Sequence, residues 1–120
     1  MKRILVVDDS AIGREIVARV LATGYDVIKA ASGKEALDAI GANPPDMVIL
    51  DLLMPDMDGF AVLSRLREEA NPVPVFVLSA DIQKSTRARV VDLGAVDLLN
   101  KPVDPETLRT TVARFFEAHQ

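Results

Sequence analysis

Five polar residues of the sequence each follow a short apolar run, and their types are those that bind metal ions and phosphate. The five residues are Asp8, Asp9, Asp51, Ser79 and Lys101. The runs that precede them are Ile4–Val7, Met47–Leu50, Val75–Leu78 and Val96–Leu99. The first three runs predict central strands that are buried on both faces, and the fourth, which is more mixed in composition, predicts an edge strand. If these strands are parallel, the five polar residues lie at one edge of a sheet, where ligands bind in open α/β folds.

The three carboxylates in this set predict a metal site. Asp8 and Asp9 end one strand and Asp51 ends another, and three anions held close together raise one another's pKa values unless a cation neutralises them. Carboxylates and water are the ligands that Mg²⁺ prefers. Lys101 adds a positive charge opposite Asp51, and Ser79 adds a hydroxyl. The set therefore indicates that Asp51 is a nucleophile that attacks phosphorus and forms an acyl phosphate.

The rest of the sequence predicts the frame that holds these residues. Helices are predicted over Ala11–Leu21, from a capping box at Ser32 to Ile40, from Asp58-Gly59 to Leu66, over Lys84–Leu93 and from Asp104-Pro105 to Phe116. A further short strand is predicted at Asp26–Ala30. Ile12, Ile16 and Val20 recur every four residues, with Val17 and Leu21 beside them, and predict an amphipathic first helix with this face buried. Five strands alternating with five helices predict an α/β fold, namely a flavodoxin-like, doubly wound, five-stranded parallel sheet of order 2-1-3-4-5.

Composition and charge limit the class of protein. The 120 residues are 49 % apolar, which is enough for one domain over residues 1–120 with a proper core. A net charge of −4 without a cluster of lysines and arginines argues against nucleic-acid binding. No segment resembles a signal peptide or a membrane span, and the absence of cysteine excludes disulfides and thiolate metal sites. We therefore expect a cytoplasmic protein that binds neither nucleic acid nor membranes.

Five motifs of the sequence resemble those of the receiver domains of two-component response regulators. They are Val6-Val7-Asp8-Asp9-Ser10, the segment DLLMPDMDG from Asp51 to Gly59, Leu78-Ser79-Ala80, Gly94-Ala95 and Asn100-Lys101-Pro102. The resemblance covers the whole chain without a long insertion. It implies that Asp51 accepts a phosphoryl group from a sensor histidine kinase or a histidine phosphotransfer protein, with Mg²⁺ as the cofactor.

The resemblance also implies roles for the other site residues. Asp9 and Asp51 would bind Mg²⁺ directly, together with the backbone carbonyl of Leu53, while Asp8 would act mainly through a water molecule.

The same resemblance assigns the phosphoryl-binding groups. Ser79 would turn inward to bond the phosphoryl group and Lys101 would pair with it. The Lys101–Pro102 peptide bond would be cis. Gly59 would provide either a positive φ or a close approach of the backbone after the loop.

The sequence departs from the usual receiver pattern at Leu98. Receivers usually carry Tyr or Phe at this switch position, and the aromatic ring swings inward when the hydroxyl moves toward the phosphate. Leu98 has neither a ring nor a hydroxyl, so the usual coupling to the surface of the fourth helix, fifth strand and last helix is not expected. Asp81, two residues after Ser79, and Leu53, two residues after Asp51, border the site. In receivers, the residues at these two positions influence how fast water removes the phosphoryl group.

Three functions are compatible with these residues. The first is a signalling switch, a monomer or weak dimer, that stands alone or forms part of a longer protein. Its phosphorylation is read by a downstream protein target or a phosphatase. Such a switch is not an enzyme acting on another substrate, although it promotes its own phosphorylation and slow autodephosphorylation. The second is a Mg²⁺-dependent phosphatase of the haloacid dehalogenase type, which needs an acid where this chain has Leu53. The third is a receiver-shaped scaffold, which typically lacks one of the acids or the lysine.

Overall fold

Strands and helices alternate along the whole chain. The computed structural model describes residues 1–120. The strands are β1 (Arg3–Val7), β2 (Asp26–Ala30), β3 (Met47–Asp51), β4 (Val75–Ser79) and β5 (Asp97–Asn100). The helices are α1 (Ala11–Leu21), α2 (Gly33–Ala42), α3 (Gly59–Glu68), α4 (Lys84–Asp92) and α5 (Pro105–Ala118). Every predicted element is present, with ends that differ from the prediction by one or two residues in most cases.

The five strands form one parallel sheet in the order β2-β1-β3-β4-β5. This is the predicted flavodoxin-like arrangement. Every residue of β3 and β4 is buried, whereas β2 and β5 each leave residues exposed at the two edges of the sheet. The most apolar runs therefore lie in the centre, as expected for strands covered on both faces.

Helices cover both faces of the sheet because successive strand residues point to opposite sides. Leu5 and Val7 of β1 belong to the core under α2, α3 and α4, while Ile4 and Val6 belong to the core under α1 and α5. None of the five helices combines the length and the apolar character needed to cross a lipid bilayer.

The predicted buried face of α1 is wrong in its first two turns. Ile12 is 77 % exposed and Ile16 is 50 % exposed, and the buried residues are Val17, Ala18, Val20 and Leu21. A spacing of four residues defines a broad apolar stripe but does not define which side of that stripe meets the sheet. Here the side that contains Val17 and Leu21 packs on the strands.

Helix α4 is held to the rest of the molecule more lightly than the other helices. Val90 is its one buried residue. Its other attachments are polar: the guanidinium of Arg89 lies 3.7 Å from the centre of the Phe60 ring, and Arg87 pairs with Asp97 of β5. The capping position Gln83 makes no side-chain hydrogen bond to the helix, whereas the caps of the other four helices do.

Candidate functional site

The register of the sheet brings the carboxyl ends of four strands to one edge. Val7 of β1 pairs with Leu50 of β3. The next residues, Asp8 and Asp51, are therefore neighbours at this edge. Asp51 in turn lies beside Leu78, and Ser79 lies beside Asn100, which precedes Lys101.

Asp8, Asp9 and Asp51 form an acidic cluster. One carboxylate oxygen from each residue lies within 4.8 Å of the others. Asp8 and Asp51 are buried, with 2 % and 5 % of their surface exposed, whereas Asp9 faces solvent. Carboxylate oxygens open to water on one side are the donor set of a hard divalent cation, so the cluster fits such an ion.

The amine of Lys101 bridges the two buried carboxylates. Its Nζ lies 3.1 Å from Asp51 Oδ1 and 3.3 Å from Asp8 Oδ2. The side chain of Lys101 is 30 % exposed, so it reaches the buried acids from the rim of the site. This single cation partly neutralises two anions that would otherwise repel each other.

The environment shifts two pKa values at this site. Burial raises the pKa of Asp51, and the negative charge of Asp8 raises it further, while the hydrogen bond and the charge of Lys101 oppose the shift without cancelling it. Burial by itself lowers the pKa of Lys101, but its hydrogen bonds to Asp51 and Asp8 and their charges raise it above the ordinary value. Lys101 is therefore protonated at neutral pH.

Three residues around Asp8 contribute contacts that the sequence did not indicate. The backbone N–H of Ser10 donates to Asp8 Oδ1 at 2.9 Å, and Arg14 donates to the backbone carbonyl of Asp8 at 2.8 Å. A Cβ at Gly13 would lie only 2.6 Å from Asp8 Oδ2. An arginine and a glycine in the first turn of a helix are common, so only the folded geometry connects them with the acidic cluster.

Ser79 is buried beside the cluster, with 2 % of its surface exposed. Its hydroxyl oxygen accepts a hydrogen bond from the backbone N–H of Asp81 at 3.0 Å and makes no side-chain hydrogen bond to Asp51 or Lys101. The hydroxyl is therefore near the acids but engaged with the loop between β4 and α4.

The loop after β3 carries the remaining predicted residues. The Leu53 side chain is 69 % exposed in the segment that follows Asp51. Gly59 has an ordinary negative φ but a close approach, because a Cβ there would lie 2.9 Å from the Cα of Leu52. Its N–H donates to the Leu52 carbonyl at 2.8 Å and fixes the end of the loop.

Two further positions singled out from the sequence lie on or just after β5. The Lys101–Pro102 peptide bond is cis. Leu98 is only 1 % exposed and packs in the core on the α2–α4 side of the sheet. Because its side chain is already buried, Leu98 cannot change from an exposed to a buried position as the aromatic ring of receivers does.

Comparison with known proteins defines the class. The family model described as response regulator receiver domain matches residues 4–113. Among curated proteins, the chain is 42 % identical over 112 residues to the probable transcriptional regulator ycf27 of Porphyridium aerugineum, covering 92 % of this chain and 46 % of that protein. It is 45 % identical over 107 residues to the response regulator MprA of Mycolicibacterium vanbaalenii, covering 88 % and 46 %.

Solved structures give the same result. The chemotaxis protein CheY4 of Vibrio cholerae superposes with a TM-score of 0.89 at 34 % identity, covering 95 % of this chain and 98 % of that one. The receiver domain of the Francisella response regulator 1452 superposes with a TM-score of 0.91 at 30 % identity, covering 100 % of both chains.

The chain therefore belongs to the family of response regulator receiver domains, the signalling domains of two-component systems. It spans a little under half the length of the curated relatives that it matches.

Proposed function

We propose that this chain is a phosphorylation switch in which Asp51 accepts a phosphoryl group from a phosphohistidine of a sensor kinase or of a histidine phosphotransfer protein. In this reaction an oxygen of Asp51 forms a bond to phosphorus while the bond between phosphorus and the imidazole nitrogen breaks, and the electron pair of that bond returns to the imidazole. Residues 1–120 act together as one receiver domain.

The observation that carries the proposal is the bridge from Lys101 to Asp51 and Asp8. A nucleophilic carboxylate with a protonated amine 3.1 Å away has a positive charge where the oxygens of a transferred phosphoryl group would lie. Burial raises the pKa of Asp51, while the hydrogen bond and the positive charge of Lys101 oppose this shift and favour the ionised carboxylate that acts as the nucleophile. Ser79, next to Lys101 in the sheet edge, supplies a hydroxyl that donates to the same group after it reorients.

The acidic cluster supports a requirement for Mg²⁺. We propose that Asp9, Asp51 and the backbone carbonyl of Leu53 hold the ion, and that Asp8 acts through a water molecule. Bound there, the ion would neutralise charge on the transferred oxygens. Asp8 also holds Lys101 in line with Asp51, at 3.3 Å from the amine.

The partners follow from the same reasoning. A phosphoryl donor with a histidine must reach the open edge of the site, and a downstream protein or a phosphatase reads the phosphorylated state. We expect the chain to act as a monomer or a weak dimer, without contact to nucleic acid or membrane through this domain.

Intact mass spectrometry tests the proposal. The protein is incubated with acetyl phosphate in the presence of Mg²⁺ and, separately, in excess chelator. We expect the mass of one phosphoryl group to be added only with Mg²⁺.

Two variants make the test specific. Asp51→Asn should gain no phosphoryl group, whereas Asp38→Asn, an exposed aspartate on α2, should behave as the unmodified chain. A phosphoryl group on the Asp51→Asn variant, or on the unmodified chain in excess chelator, would overturn the assignment.

A further inference from the structure

Asp81 connects the Ser79 hydroxyl to the first turn of α4. Its backbone N–H donates to Ser79 Oγ at 3.0 Å. Its carboxylate accepts two more hydrogen bonds, from the backbone N–H of Gln83 at 3.1 Å and from the hydroxyl of Thr86 at 2.8 Å. Gln83, at the capping position of α4, makes no cap of its own, so Asp81 supplies the side-chain hydrogen bonds that order this helix start.

These contacts fix where the Asp81 amide lies and thereby where the Ser79 hydroxyl lies. Both carboxylate oxygens of Asp81 are engaged with residues farther along the chain. The amide of Asp81 is therefore held rigidly, and Ser79 Oγ is held with it. A movement of the hydroxyl toward a group on Asp51 must lengthen this bond or carry the loop along with it.

We propose that Asp81 and Thr86 form a latch that holds the Ser79 hydroxyl in the position it has in the unphosphorylated protein. Releasing this latch favours binding of a phosphoryl group at Asp51. The proposal rests on the proposed function of the site. Asp81 and Thr86 are positioning residues, because neither contacts Asp51 or Lys101 by hydrogen bond; they act through Ser79. When the loop follows Ser79 inward, the cost of breaking the Thr86 hydrogen bond enters the free energy of that movement.

The light attachment of α4 makes this latch effective. With Val90 as its one buried residue, the helix contributes little apolar burial to hold the loop in place. The hydrogen bond between Thr86 and Asp81 is then one of three polar side-chain contacts at the start of α4, with the Gln83–Asp81 hydrogen bond and the Arg87–Asp97 ion pair. Leu98 on the neighbouring strand is buried and has no polar atom that could bond to Ser79, whereas the backbone N–H of Asp81 contacts the Ser79 hydroxyl directly.

Thr86→Val is the informative substitution because it removes the hydroxyl, preserves the shape and changes no charge. Replacing Asp81 itself would also remove a negative charge beside an anion site, which strengthens anion binding by a different route. Thr107→Val is the matched control: Thr107 donates to Asp104 Oδ2 at 2.7 Å in the first turn of α5, so it loses the same kind of hydrogen bond without a connection to Ser79. Thr86→Ser keeps the hydroxyl and should restore the behaviour of the unmodified chain.

The measurement is the affinity for beryllofluoride, a mimic of the phosphoryl group, at saturating Mg²⁺. Fluorine NMR or calorimetry is suitable because the chain has no tryptophan. We expect Thr86→Val to bind the mimic about fivefold more tightly, the change produced by loss of one solvent-accessible hydrogen bond of ordinary net strength in the unbound state. Affinity for Mg²⁺ alone should stay unchanged, and Thr107→Val and Thr86→Ser should match the unmodified chain.

A second readout separates the latch from a simple structural role. In Thr86→Val without mimic, the amide resonance of Asp81 should move part of the way toward its position in the bound state of the unmodified chain. Unchanged or weaker binding of the mimic by Thr86→Val would overturn the latch, as would a parallel loss of Mg²⁺ affinity. Failure of the unmodified chain to bind the mimic would instead overturn the proposed function.

Discussion

Gly13 in the first turn of α1 leaves the space that the Asp8 carboxylate occupies. A Cβ at this position would lie 2.6 Å from Asp8 Oδ2 and 3.3 Å from its Cγ. Ordinary contact begins near 3.4 Å, so Gly13→Ala requires the carboxylate oxygen to retreat by roughly 0.8 Å. Asp8 is buried and already bonded to Ser10 and Lys101, so this retreat disturbs the acidic cluster.

The expected magnitude is a loss of about tenfold in Mg²⁺ affinity, the usual effect of disturbing the partners that orient metal ligands. The same substitution favours helix formation by about 1 kcal/mol, because alanine loses less backbone entropy than glycine. The displacement of the buried Asp8 carboxylate also costs stability and offsets this gain. Mg²⁺ affinity should therefore fall while the stability of the metal-free protein stays close to that of the unmodified chain or rises.

Calorimetry with Mg²⁺ and urea unfolding followed by circular dichroism measure these two quantities. Gly41→Ala is the matched control, since Gly41 lies in α2 and a Cβ there meets no atom within 4 Å. It should gain stability by about 1 kcal/mol and keep its Mg²⁺ affinity. If Gly13→Ala binds Mg²⁺ as tightly as Gly41→Ala does, the contact between Gly13 and Asp8 does not position the acid.

Three further substitutions test other parts of the account. Lys101→Met removes the cation that bridges Asp8 and Asp51, so Mg²⁺ should bind severalfold more tightly by calorimetry and should raise the melting temperature by more than it does in the unmodified chain; weaker Mg²⁺ binding would contradict this. Because the pKa of Asp51 is raised in the folded state, the folded protein favours the protonated carboxyl group. This stabilisation is fully present below the ordinary pKa of 3.8 and is lost as the pH rises through the pKa of the folded state. Urea unfolding without Mg²⁺ should accordingly show the unmodified chain losing stability relative to Asp51→Asn from about pH 4 toward neutrality, and the opposite slope would refute the assignment. Ser32→Ala removes the hydroxyl that accepts from the Glu35 N–H at 3.1 Å and should lower the free energy of unfolding by about 1 kcal/mol, with no change in Mg²⁺ affinity as the internal control.

The strands and their order could be predicted because the information is local. Four apolar residues in a row, bounded by polar or proline-containing segments, define each central strand. The alternation with helices then leaves few topologies, and polar residues at strand ends such as Asp51 and Ser79 necessarily meet at one edge.

The exposed start of α1 could not be predicted from spacing. Ile12 and Ile16 belong to an apolar stripe wide enough to face the sheet in more than one way. The packing angle of the helix, which depends on the surrounding elements, buries the side of this stripe that contains Val17 and Leu21 and leaves the side of Ile12 and Ile16 exposed.

Contacts between a loop and the start of the helix that follows it are also beyond the sequence. The space at Gly13, the hydrogen bond from Arg14 and the link from Asp81 to Thr86 each depend on the relative position of a loop and a helix. Their residue types are ordinary for turns and helix starts, so no pattern distinguishes them. The resemblance to receivers identifies the acids and the lysine but says nothing about these supporting contacts.

The central claim is that Asp51 is the phosphoryl acceptor, and chemical trapping of the acyl phosphate tests it most directly. After incubation with acetyl phosphate and Mg²⁺, borohydride reduces an aspartyl phosphate to homoserine, which tandem mass spectrometry then locates in the sequence. We expect homoserine in place of aspartate at position 51 alone, dependent on Mg²⁺. Homoserine at position 8 or 9, or none anywhere while phosphate remains bound to the protein, would contradict it.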